Sequence, residues 1–411
     1  MSRARDWLER IRGLQPPARV RVMNVCGGHE RSITQAGLRG ALPEQIELIP
    51  GPGCPVCVCP EEDIYAAIQL ARNLVMLVID GLGYEFLSQY PDSCLYQHLH
   101  SKMMAVAPPT TTASVSTYLT GLAPQQHGLT GWFTYLRELG SVVTILPWVL
   151  RGGGPQLGES GRAATELLNL PSFFDRLAVE TYSVMPDFLQ QSEFNRMVSG
   201  QAGYVPYGTY QQCFDEVARL CSNDRKKYVY AYWAGFDMLA HGFGVGSEKV
   251  ASHFMELDKA FEKLVGQLAG SDSVLLVSAD HGFVDAPPQK RLDLADHPAL
   301  KSCLQVPLCC EPRLAYCYVL NNRRRQFEAY IENNLKGIAE LYLSSDLVEK
   351  NLYGLGEPHP ELASRTGDYT LVMKDNHVVI DTLPGDKTPQ LTGYHGGLSS
   401  KEVFVPLILV D

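Results

Sequence analysis

The sequence predicts an α/β protein whose central, mostly parallel sheet is flanked by helices. The first observation is a set of three short apolar runs at 74–79, 228–233 and 273–278. Each run is too short for a buried helix and is rich in β-branched or aromatic residues, which favours a strand buried on both faces. The second observation is that an acidic residue follows each run within a few positions, as expected where strands end at a ligand site.

The composition is that of an ordinary globular protein and argues against several other classes. With 411 residues, 45% of them hydrophobic, the chain can form two or three domains with a large core. Its net charge of −10 argues against coating of nucleic acid or binding to a membrane surface, because both need basic residues. No apolar run has the length of a membrane span or a signal peptide, and eleven cysteines, an odd number, are typical of reduced thiols. We therefore expect a cytoplasmic protein without a membrane partner.

The first 72 residues predict a short β-α-β-α segment. Its strands are expected at 20–25 and 46–49, and its helices at 31–42 and 61–72. Acidic residues occupy the first turn of the second helix, where the helix dipole stabilises them. The apolar run at 74–79 then begins a second domain, for which we predict the bounds 73–411.

The second domain contains one further clear helix and one further clear strand. Apolar residues recur at helical spacing from Ser247 to Leu268, and Ser247 is a suitable N-cap. A final apolar strand is expected at 404–410. The long segments 133–225 and 282–392 mix turns with short elements, and we expect insertions or a cap there that shape a substrate cleft outside the core sheet.

Three carboxylates and three imidazoles are the candidate functional residues of this second domain. They are Asp80, Asp237, Asp280, His241, His281 and His395. Oxygen and nitrogen donors without a thiolate are the ligand set that a pair of catalytic divalent metal ions requires. This donor set favours zinc, and manganese and iron are the alternatives.

Each of these residues lies within a short sequence motif, and the order and spacing of the motifs are specific in combination. The motifs are Ile79-Asp80-Gly81, Pro109-Thr110-Thr111-Thr112, Thr120-Gly121-Leu122, His127-Gly128, Asp237 with His241, Asp280-His281-Gly282 and His395-Gly396. They resemble the alkaline phosphatase superfamily, and within it the type I phosphodiesterase and nucleotide pyrophosphatase family, over residues 73–411. The resemblance implies an alkaline-phosphatase-like sheet and a phosphoric ester hydrolase that acts on a small phosphate ester or nucleotide.

The same resemblance implies how the ligands divide between two metal ions. One ion would be held by Asp237, His241 and His395. The other would be held by Asp80, Asp280, His281 and the oxygen of the nucleophile.

The nucleophile of this family is a threonine that opens a short helix ending in Thr-Gly. Counting back from Thr120-Gly121 indicates Thr111, and Thr112 stays open because the string is repetitive. The positions that often hold Pro and Asn in the family are Ala113 and Ser114 here. A divalent ion and a helix N-terminus both favour the alkoxide, so the threonine would attack phosphorus and form a phospho-threonine that water hydrolyses.

Other members of the superfamily remain alternatives. A phosphomonoesterase, a phosphonate hydrolase or an enzyme that moves phosphoryl groups between sugar positions would use the same metal site. A sulfatase needs a Cys/Ser-x-Pro-x-Arg string. The similar Cys310-Glu311-Pro312-Arg313 is one residue shorter, and we interpret it as structural.

The cysteine-rich beginning of the chain has a second resemblance, over residues 18–72. Cys26-Gly27-Gly28-His29 and Gly51-Pro52-Gly53-Cys54-Pro55-Val56-Cys57 closely resemble the start of the HypD family of hydrogenase-maturation proteins. The resemblance implies a thiol and iron site at Cys26, Cys54 and Cys57 beside His29, with hydrogenase-maturation partners if the segment is functional. Because the rest of that family has no counterpart here, we interpret the segment as a fusion remnant packed beside the main sheet. An iron scaffold is the alternative function.

Overall fold

A computed structural model describes residues 71–384, 386 and 391–411, together with two strands nearer the N-terminus. These strands, Val20–Asn24 and Ile46–Pro50, agree with the predicted ones and pair in parallel. The predicted helix at 31–42 and most of the predicted helix at 61–72 lie outside the described residues.

The described strands are numbered in chain order. They are β1 (Val20–Asn24), β2 (Ile46–Pro50), β3 (Asn73–Ile79), β4 (Leu99–Met104), β5 (Phe133–Leu136), β6 (Ser141–Thr144), β7 (Val149–Leu150), β8 (Glu180–Pro186), β9 (Gly203–Tyr207), β10 (Lys227–Trp233), β11 (Ser273–Ser278), β12 (Val284–Asp285), β13 (Arg291–Asp293), β14 (Cys309–Glu311), β15 (Leu314–Cys317), β16 (Ala339–Leu343), β17 (Tyr369–Met373), β18 (Val378–Ile380), β19 (Gly393–Tyr394) and β20 (Phe404–Val410).

The described α-helices vary from one turn to six. They are Tyr84–Leu87, Cys94–Gln97, Thr111–Thr120, Pro124–His127, Ala164–Leu167, Glu193–Ser199, Tyr210–Cys221, Gly235–Phe243, Glu248–Leu268, Pro298–Lys301, Arg324–Asn334, Ser344–Glu349, Leu362–Arg365 and Ser400–Val403. None of the helices in the described part of the chain combines the length and the apolar character that crossing a membrane requires.

Seven strands form the central sheet in the order β4-β20-β11-β3-β10-β8-β9. All pairings from β11 to β9 are parallel, and β20 is antiparallel to both of its neighbours. The three predicted apolar strands are adjacent, since Val75 of β3 lies opposite Val229 of β10 and Leu275 of β11. The predicted α/β fold with a mostly parallel sheet is therefore confirmed.

Strand β3 is buried on both faces, as its unbroken apolar run predicts. Val75 and Leu77 pack into the hydrophobic cluster on one face, and Leu74 and Val78 pack into the cluster on the other. Burying an aliphatic side chain of this size is worth about 1.5–3 kcal/mol. Alternate side chains of one strand thus stabilise two separate layers of helices.

The long helix Glu248–Leu268 covers the first of these faces. It begins at the predicted N-cap, because Ser247 Oγ accepts a hydrogen bond from the Val250 N–H at 3.3 Å. Its buried positions include Phe254, Phe261 and Leu264, at the helical spacing that predicted them. The helix prediction is confirmed to within one residue at its start.

A second, antiparallel sheet has the order β16-β17-β15-β14-β5-β6-β7. Its strands come from the segments 133–225 and 282–392, which we expected to lie outside the core sheet. The expectation is wrong for part of the first segment, because β8 and β9 form one edge of the central sheet. Only the second half of β8 is buried, from Ser183 to Pro186, so this strand has no continuous apolar run that would reveal it.

Candidate metal centre

Three aspartates lie at one edge of the central sheet because they follow three adjacent parallel strands. Asp80 directly follows β3, and Asp280 lies two residues after the end of β11. Asp237 lies in the first turn of the helix Gly235–Phe243, which follows β10. The carboxyl ends of parallel strands meet at the same edge, so the predicted grouping of these acids is found.

His281 lies among all three aspartates. Its Nε2 is 3.3 Å from Asp80 Oδ1, 3.6 Å from Asp280 Oδ2 and 4.0 Å from Asp237 Oδ1. The imidazole is completely buried. A single nitrogen is therefore within reach of each carboxylate.

The other two histidines approach from the Asp237 side. His241 Nε2 is 3.4 Å from Asp237 Oδ1, one helical turn away, and His395 Nε2 is 3.9 Å from the same oxygen. The ring of His395 is stacked on that of His281, with centroids 3.6 Å apart. All six predicted ligands are thus brought together around one centre.

Within the described part of the chain, two groups of donor atoms are compact enough to hold a metal ion. Asp80, Asp280 and His281 form one group, and Asp237, His281 and His395 form the other, with all donor atoms of a group within 4.8 Å of one another. His281 belongs to both groups, whereas His241 is a neighbour of Asp237 outside them. The division of ligands that the family resemblance implies stays a prediction.

All three imidazoles direct the same ring nitrogen, Nδ1, towards a backbone carbonyl. The Nδ1 of His241 is 2.9 Å from the carbonyl oxygen of Gly393. The Nδ1 of His281 is 3.2 Å from that of Gly282, and the Nδ1 of His395 is 3.4 Å from that of Pro109. A carbonyl accepts only, so the contact favours a proton on Nδ1 and a lone pair on Nε2. This is the arrangement by which proteins orient metal-binding histidines.

The grouping of three buried carboxyl groups favours the binding of cations at this centre. Burial raises the pKa of Asp80 well above its usual range, and the charges of Asp237 and Asp280 raise it further. Burial also raises the pKa of Asp237. One oxygen of each aspartate is buried without a hydrogen-bond partner among the described residues: Asp80 Oδ1, Asp237 Oδ1 and Asp280 Oδ2. Buried carboxylates are paired or coordinate metals, so these residues fit metal ions.

Burial lowers the pKa of His395 well below its usual range, and neighbouring His281 and His241 lower it further. The neutral imidazole, which is the form that binds metal, is therefore favoured.

Hydrogen bonds from a tyrosine that the sequence did not single out, and from two backbone N–H groups, support the aspartates. The Tyr232 hydroxyl donates a short hydrogen bond to Asp80 Oδ2, and the Gly81 and His281 N–H groups donate to Asp280 Oδ1 at 2.9 and 3.0 Å. In the sequence, Tyr232 is one of several aromatic residues in β10, so no local signal separates it from the core tyrosines.

The predicted nucleophile opens the helix Thr111–Thr120, whose C-cap Gly121 has φ +69°. Thr111 Oγ1 lies 3.2 Å from His281 Nε2. Thr112, the alternative, is completely buried, and its Oγ1 has no hydrogen-bond partner among the described residues. Ser114 Oγ donates to the Asp280 carbonyl at 2.8 Å, which ties the helix to the ligand loop.

Glu311 is a neighbour of the centre that the sequence interpretation missed. The Thr110 hydroxyl donates a short hydrogen bond to Glu311 Oε1, and the Trp132 N–H donates to the same oxygen at 3.1 Å. Burial raises the pKa of Glu311 to about 8. We interpreted the string 310–313 as structural. That interpretation agrees with Arg313, which forms a buried ion pair with Glu402, whereas Glu311 binds Thr110, the residue before the predicted nucleophile.

The predicted thiol and iron site belongs to the N-terminal segment. Cys26, His29, Cys54 and Cys57 lie outside the described residues. The cysteines that are described all carry free thiols.

Solved structures of two kinds of hydrolase are similar to this chain. Mouse ectonucleotide pyrophosphatase/phosphodiesterase 5 has a TM-score of 0.62 at 14% identity, covering 81% of this chain and 87% of that one. Phosphonoacetate hydrolase from Sinorhizobium meliloti 1021 has a TM-score of 0.60 at 15% identity, covering 83% and 91%. At such low identity these similarities establish the fold alone.

The N-terminal segment is similar to hydrogenase-maturation proteins. A family model described as "Hydrogenase formation hypA family" matches residues 2–81. A putative hydrogenase expression/formation protein of Methanocaldococcus jannaschii is 51% identical over 55 residues, 13% of this chain and 15% of that protein. HypD of Escherichia coli K12 is 50% identical over 54 residues, 13% and 14% of the two chains. The chain spans less than a fifth of the length of these relatives.

The family model of type I phosphodiesterases and nucleotide pyrophosphatases matches residues 74–398, which is most of the chain and includes the whole metal centre. The chain therefore belongs to the type I phosphodiesterase/nucleotide pyrophosphatase family and is a phosphoric ester hydrolase.

Proposed function

We propose that this chain is a two-metal hydrolase that cleaves phosphodiester or pyrophosphate bonds of nucleotide-like substrates, with Thr111 as its nucleophile. One observation carries the proposal. The Thr111 hydroxyl lies 3.2 Å from His281 Nε2, the nitrogen common to both groups of donor atoms. A hydroxyl at the N-terminus of a helix and beside two cation sites is suited to an in-line displacement at phosphorus.

We assign the ligands as the family resemblance implies. One ion is held by Asp237, His241 and His395, and the other by Asp80, Asp280, His281 and Thr111 Oγ1. Two observations support this assignment. All three imidazoles have Nδ1 beside a carbonyl, which leaves Nε2 free to bind a metal ion, and each aspartate has one buried oxygen without a hydrogen-bond partner among the described residues. When bound, the ions would stabilise negative charge on the attacking and leaving oxygens. Nitrogen and oxygen donors favour zinc, with manganese and iron as alternatives.

The reaction that these residues support has two displacements. The Thr111 hydroxyl gives its proton to solvent water, and its oxygen bonds to phosphorus as the leaving oxygen departs from the opposite side with its electron pair and takes up a proton from water. A phospho-threonine remains. Water then attacks phosphorus, the Thr111 oxygen leaves, and the hydroxyl is restored. The partial positive charge at the start of the helix Thr111–Thr120 stabilises the anionic groups in both steps.

The substrate class is proposed from the similar structures. The mouse relative has been solved as an inactive variant in complex with AMP, which supports a nucleotide-like substrate for this chain. Phosphonate hydrolysis is the second candidate, because the chain is similar to a structure of phosphonoacetate hydrolase in complex with phosphonoacetate. Hydrolysis of phosphate monoesters at the same metal site is the third.

The decisive experiment uses the full-length protein with its bound metals quantified by mass spectrometry. Hydrolysis of bis(p-nitrophenyl) phosphate, p-nitrophenyl phosphate and phosphonoacetate is measured side by side. We expect about two divalent ions per chain and the highest kcat/KM with the diester. Faster cleavage of the monoester or the phosphonate would replace the proposed substrate class, and a chain active without divalent ions would overturn the two-metal proposal.

For the first 72 residues we propose a fusion remnant that is dispensable for hydrolysis. The alternative, a thiol and iron scaffold at Cys26, Cys54 and Cys57, has support from the segment's similarity to HypD proteins. Iron content and diesterase activity of the full chain are compared before and after replacing these three cysteines by serine. Loss of bound iron with unchanged diesterase activity would favour the scaffold.

A cytoplasmic location is also part of the proposal, supported by the free thiols of the described cysteines.

A further inference from the structure

Glu311 connects three segments that surround the predicted nucleophile. Its Oε1 accepts hydrogen bonds from the hydroxyl of Thr110 and from the N–H of Trp132. These partners are 201 and 179 residues away in the chain, so the carboxyl joins the second sheet to the helix that begins at Thr111 and to the loop before β5.

Thr110 has an unusual role for a residue at its position. It is the N-cap of the helix Thr111–Thr120 and has the extended backbone typical of an N-cap, with φ −137° and ψ 148°. A threonine there ordinarily accepts a hydrogen bond from the first turn of its own helix. Thr110 makes no such bond and donates its hydroxyl to Glu311 instead. The start of the helix is therefore held by the second sheet, and its first turn is left open to an anion.

The backbone next to Glu311 is strained in a way that brings the carboxyl to this place. Cys310 has φ +71°, a left-handed conformation that is uncommon for a residue other than glycine. Its Cα lies so close to Gly131 that a Cβ added at Gly131 would be 2.5 Å away, and its Sγ contacts the Thr130 carbonyl at 3.2 Å. Such strain persists only where the surrounding structure enforces it.

The side chain of Glu311 also packs against the segment that carries His395. Gly396 has φ +100°, and a Cβ added there would lie 2.7 Å from both Cβ and Cγ of Glu311. The same side chain thus contacts the neighbour of the nucleophile and the neighbour of a predicted metal ligand.

We propose that Glu311 is a positioning residue, whose carboxyl oxygen holds the Thr110 hydroxyl and thereby places the Thr111 oxygen for attack. The proposal rests on the proposed function in that Thr111 is taken as the nucleophile. A displacement of a reacting atom by about 1 Å can cost a factor of about 100 in rate, so a hydrogen bond one residue from the nucleophile has a measurable effect on kcat.

Variants of the full-length, metal-loaded protein test the role of this bond. Glu311→Ala removes the acceptor, and Glu311→Gln keeps an amide oxygen that accepts the same bonds. Thr110→Val removes the hydroxyl donor and leaves Glu311 unchanged, whereas Thr110→Ser keeps a hydroxyl donor at this position. Glu340→Ala is the matched control, because Glu340 lies on β16 at the far edge of the same sheet.

We expect Glu311→Ala and Thr110→Val each to lower kcat at least about tenfold, with KM and metal content close to the wild-type values. Glu311→Gln, Thr110→Ser and Glu340→Ala should stay within about threefold of wild type. The double variant Glu311→Ala/Thr110→Val should be no slower than Glu311→Ala, because Thr110→Val removes a hydrogen bond that Glu311→Ala has already removed.

Two results would overturn the proposal: an unchanged kcat in Glu311→Ala, or a loss in Glu311→Gln equal to that in Glu311→Ala. A second measurement is independent of activity. Amide hydrogen exchange in the peptide that contains 110–116 should be faster in Glu311→Ala than in Glu311→Gln, and equal exchange would also overturn the proposal. Failure of the proposed function would instead appear as an inactive wild type or an active Thr111→Ala, whatever the exchange result.

Discussion

Thr111 and His281 meet at the candidate metal centre although 170 residues separate them, with Thr111 Oγ1 3.2 Å from His281 Nε2. The contact is reinforced one turn along the helix, where Ser114 Oγ donates to the Asp280 carbonyl at 2.8 Å. The helix that carries the predicted nucleophile is therefore attached to the loop that carries two of the predicted ligands. A substitution in the helix should therefore shift the residues of the loop, and a substitution in the loop should shift the helix.

The first prediction separates the two candidate nucleophiles. Thr111→Ala should lower kcat for a diester by about a thousandfold or more, as the loss of a covalent nucleophile does. Thr112→Val, the matched control, should retain nearly full activity, because the buried Thr112 Oγ1 has no hydrogen-bond partner among the described residues. Steady-state kinetics decide between them, and an inactive Thr112→Val beside an active Thr111→Ala would reverse the assignment.

The second prediction concerns the unequal weight of two histidines. His281 is completely buried and approaches three aspartates, whereas His241 is partly exposed and approaches one. His281→Ala should therefore lower the bound metal more than His241→Ala does. Metal content after gel filtration measures this difference, and equal losses in the two variants would contradict it.

A third prediction follows from the ion pair behind the centre. Arg313 donates to both oxygens of Glu402 at 2.9 Å, and both side chains are almost completely buried. Glu402 also accepts the Gly397 N–H, near His395. Arg313→Met leaves a buried charge unpaired and should cost about 3–5 kcal/mol in the free energy of unfolding.

The control for this substitution is the exposed pair formed by Arg225 and Glu180. Arg225→Met should leave the free energy of unfolding unchanged within error, because solvent screens an exposed pair. Chemical denaturation of both variants provides the comparison. A similar, small effect in both would show that burial of the Arg313 pair is unimportant.

The fourth prediction is a loss of stability in acid that originates at His127. Burial lowers the pKa of this imidazole to about 3, helped by the nearby charges of His359 and Arg365. Its Nδ1 accepts the Leu129 N–H at 3.1 Å, and Nε2 lies 3.2 Å from Thr117 Oγ1, an arrangement that needs the neutral ring.

Because the pKa is about 3 in the folded state and about 6.5 in the unfolded state, the unfolded chain takes up the proton first. The contribution to stability is therefore complete above pH 6.5 and is lost as pH falls from 6.5 towards 3, by about 1.4 kcal/mol per pH unit. His127→Gln should have a flatter dependence of the free energy of unfolding on pH over this range. Parallel curves for the variant and the wild type would contradict the prediction.

Local patterns predicted the parts of the molecule that are buried along their own length. The apolar runs of β3, β10 and β11 and the helical spacing of Glu248–Leu268 lie where they were expected, because burial on both faces or on one stripe leaves a continuous signal in the sequence. Strand β8 was missed because only half of it is buried. The ligand types Asp and His could be chosen from their positions after strands and from the family strings.

The fold class, the strands that carry the aspartates and the choice of candidate ligands could therefore be predicted from local sequence patterns. The position of His281 among all three aspartates and the bond between Glu311 and Thr110 became visible in the folded chain alone. These contacts join residues far apart in the chain, and they depend on which strands are neighbours and on how the second sheet packs against the start of one helix. The local sequence pattern of a segment does not predict such pairings, because it depends on the burial of that segment's own residues and is the same whichever distant residue they contact.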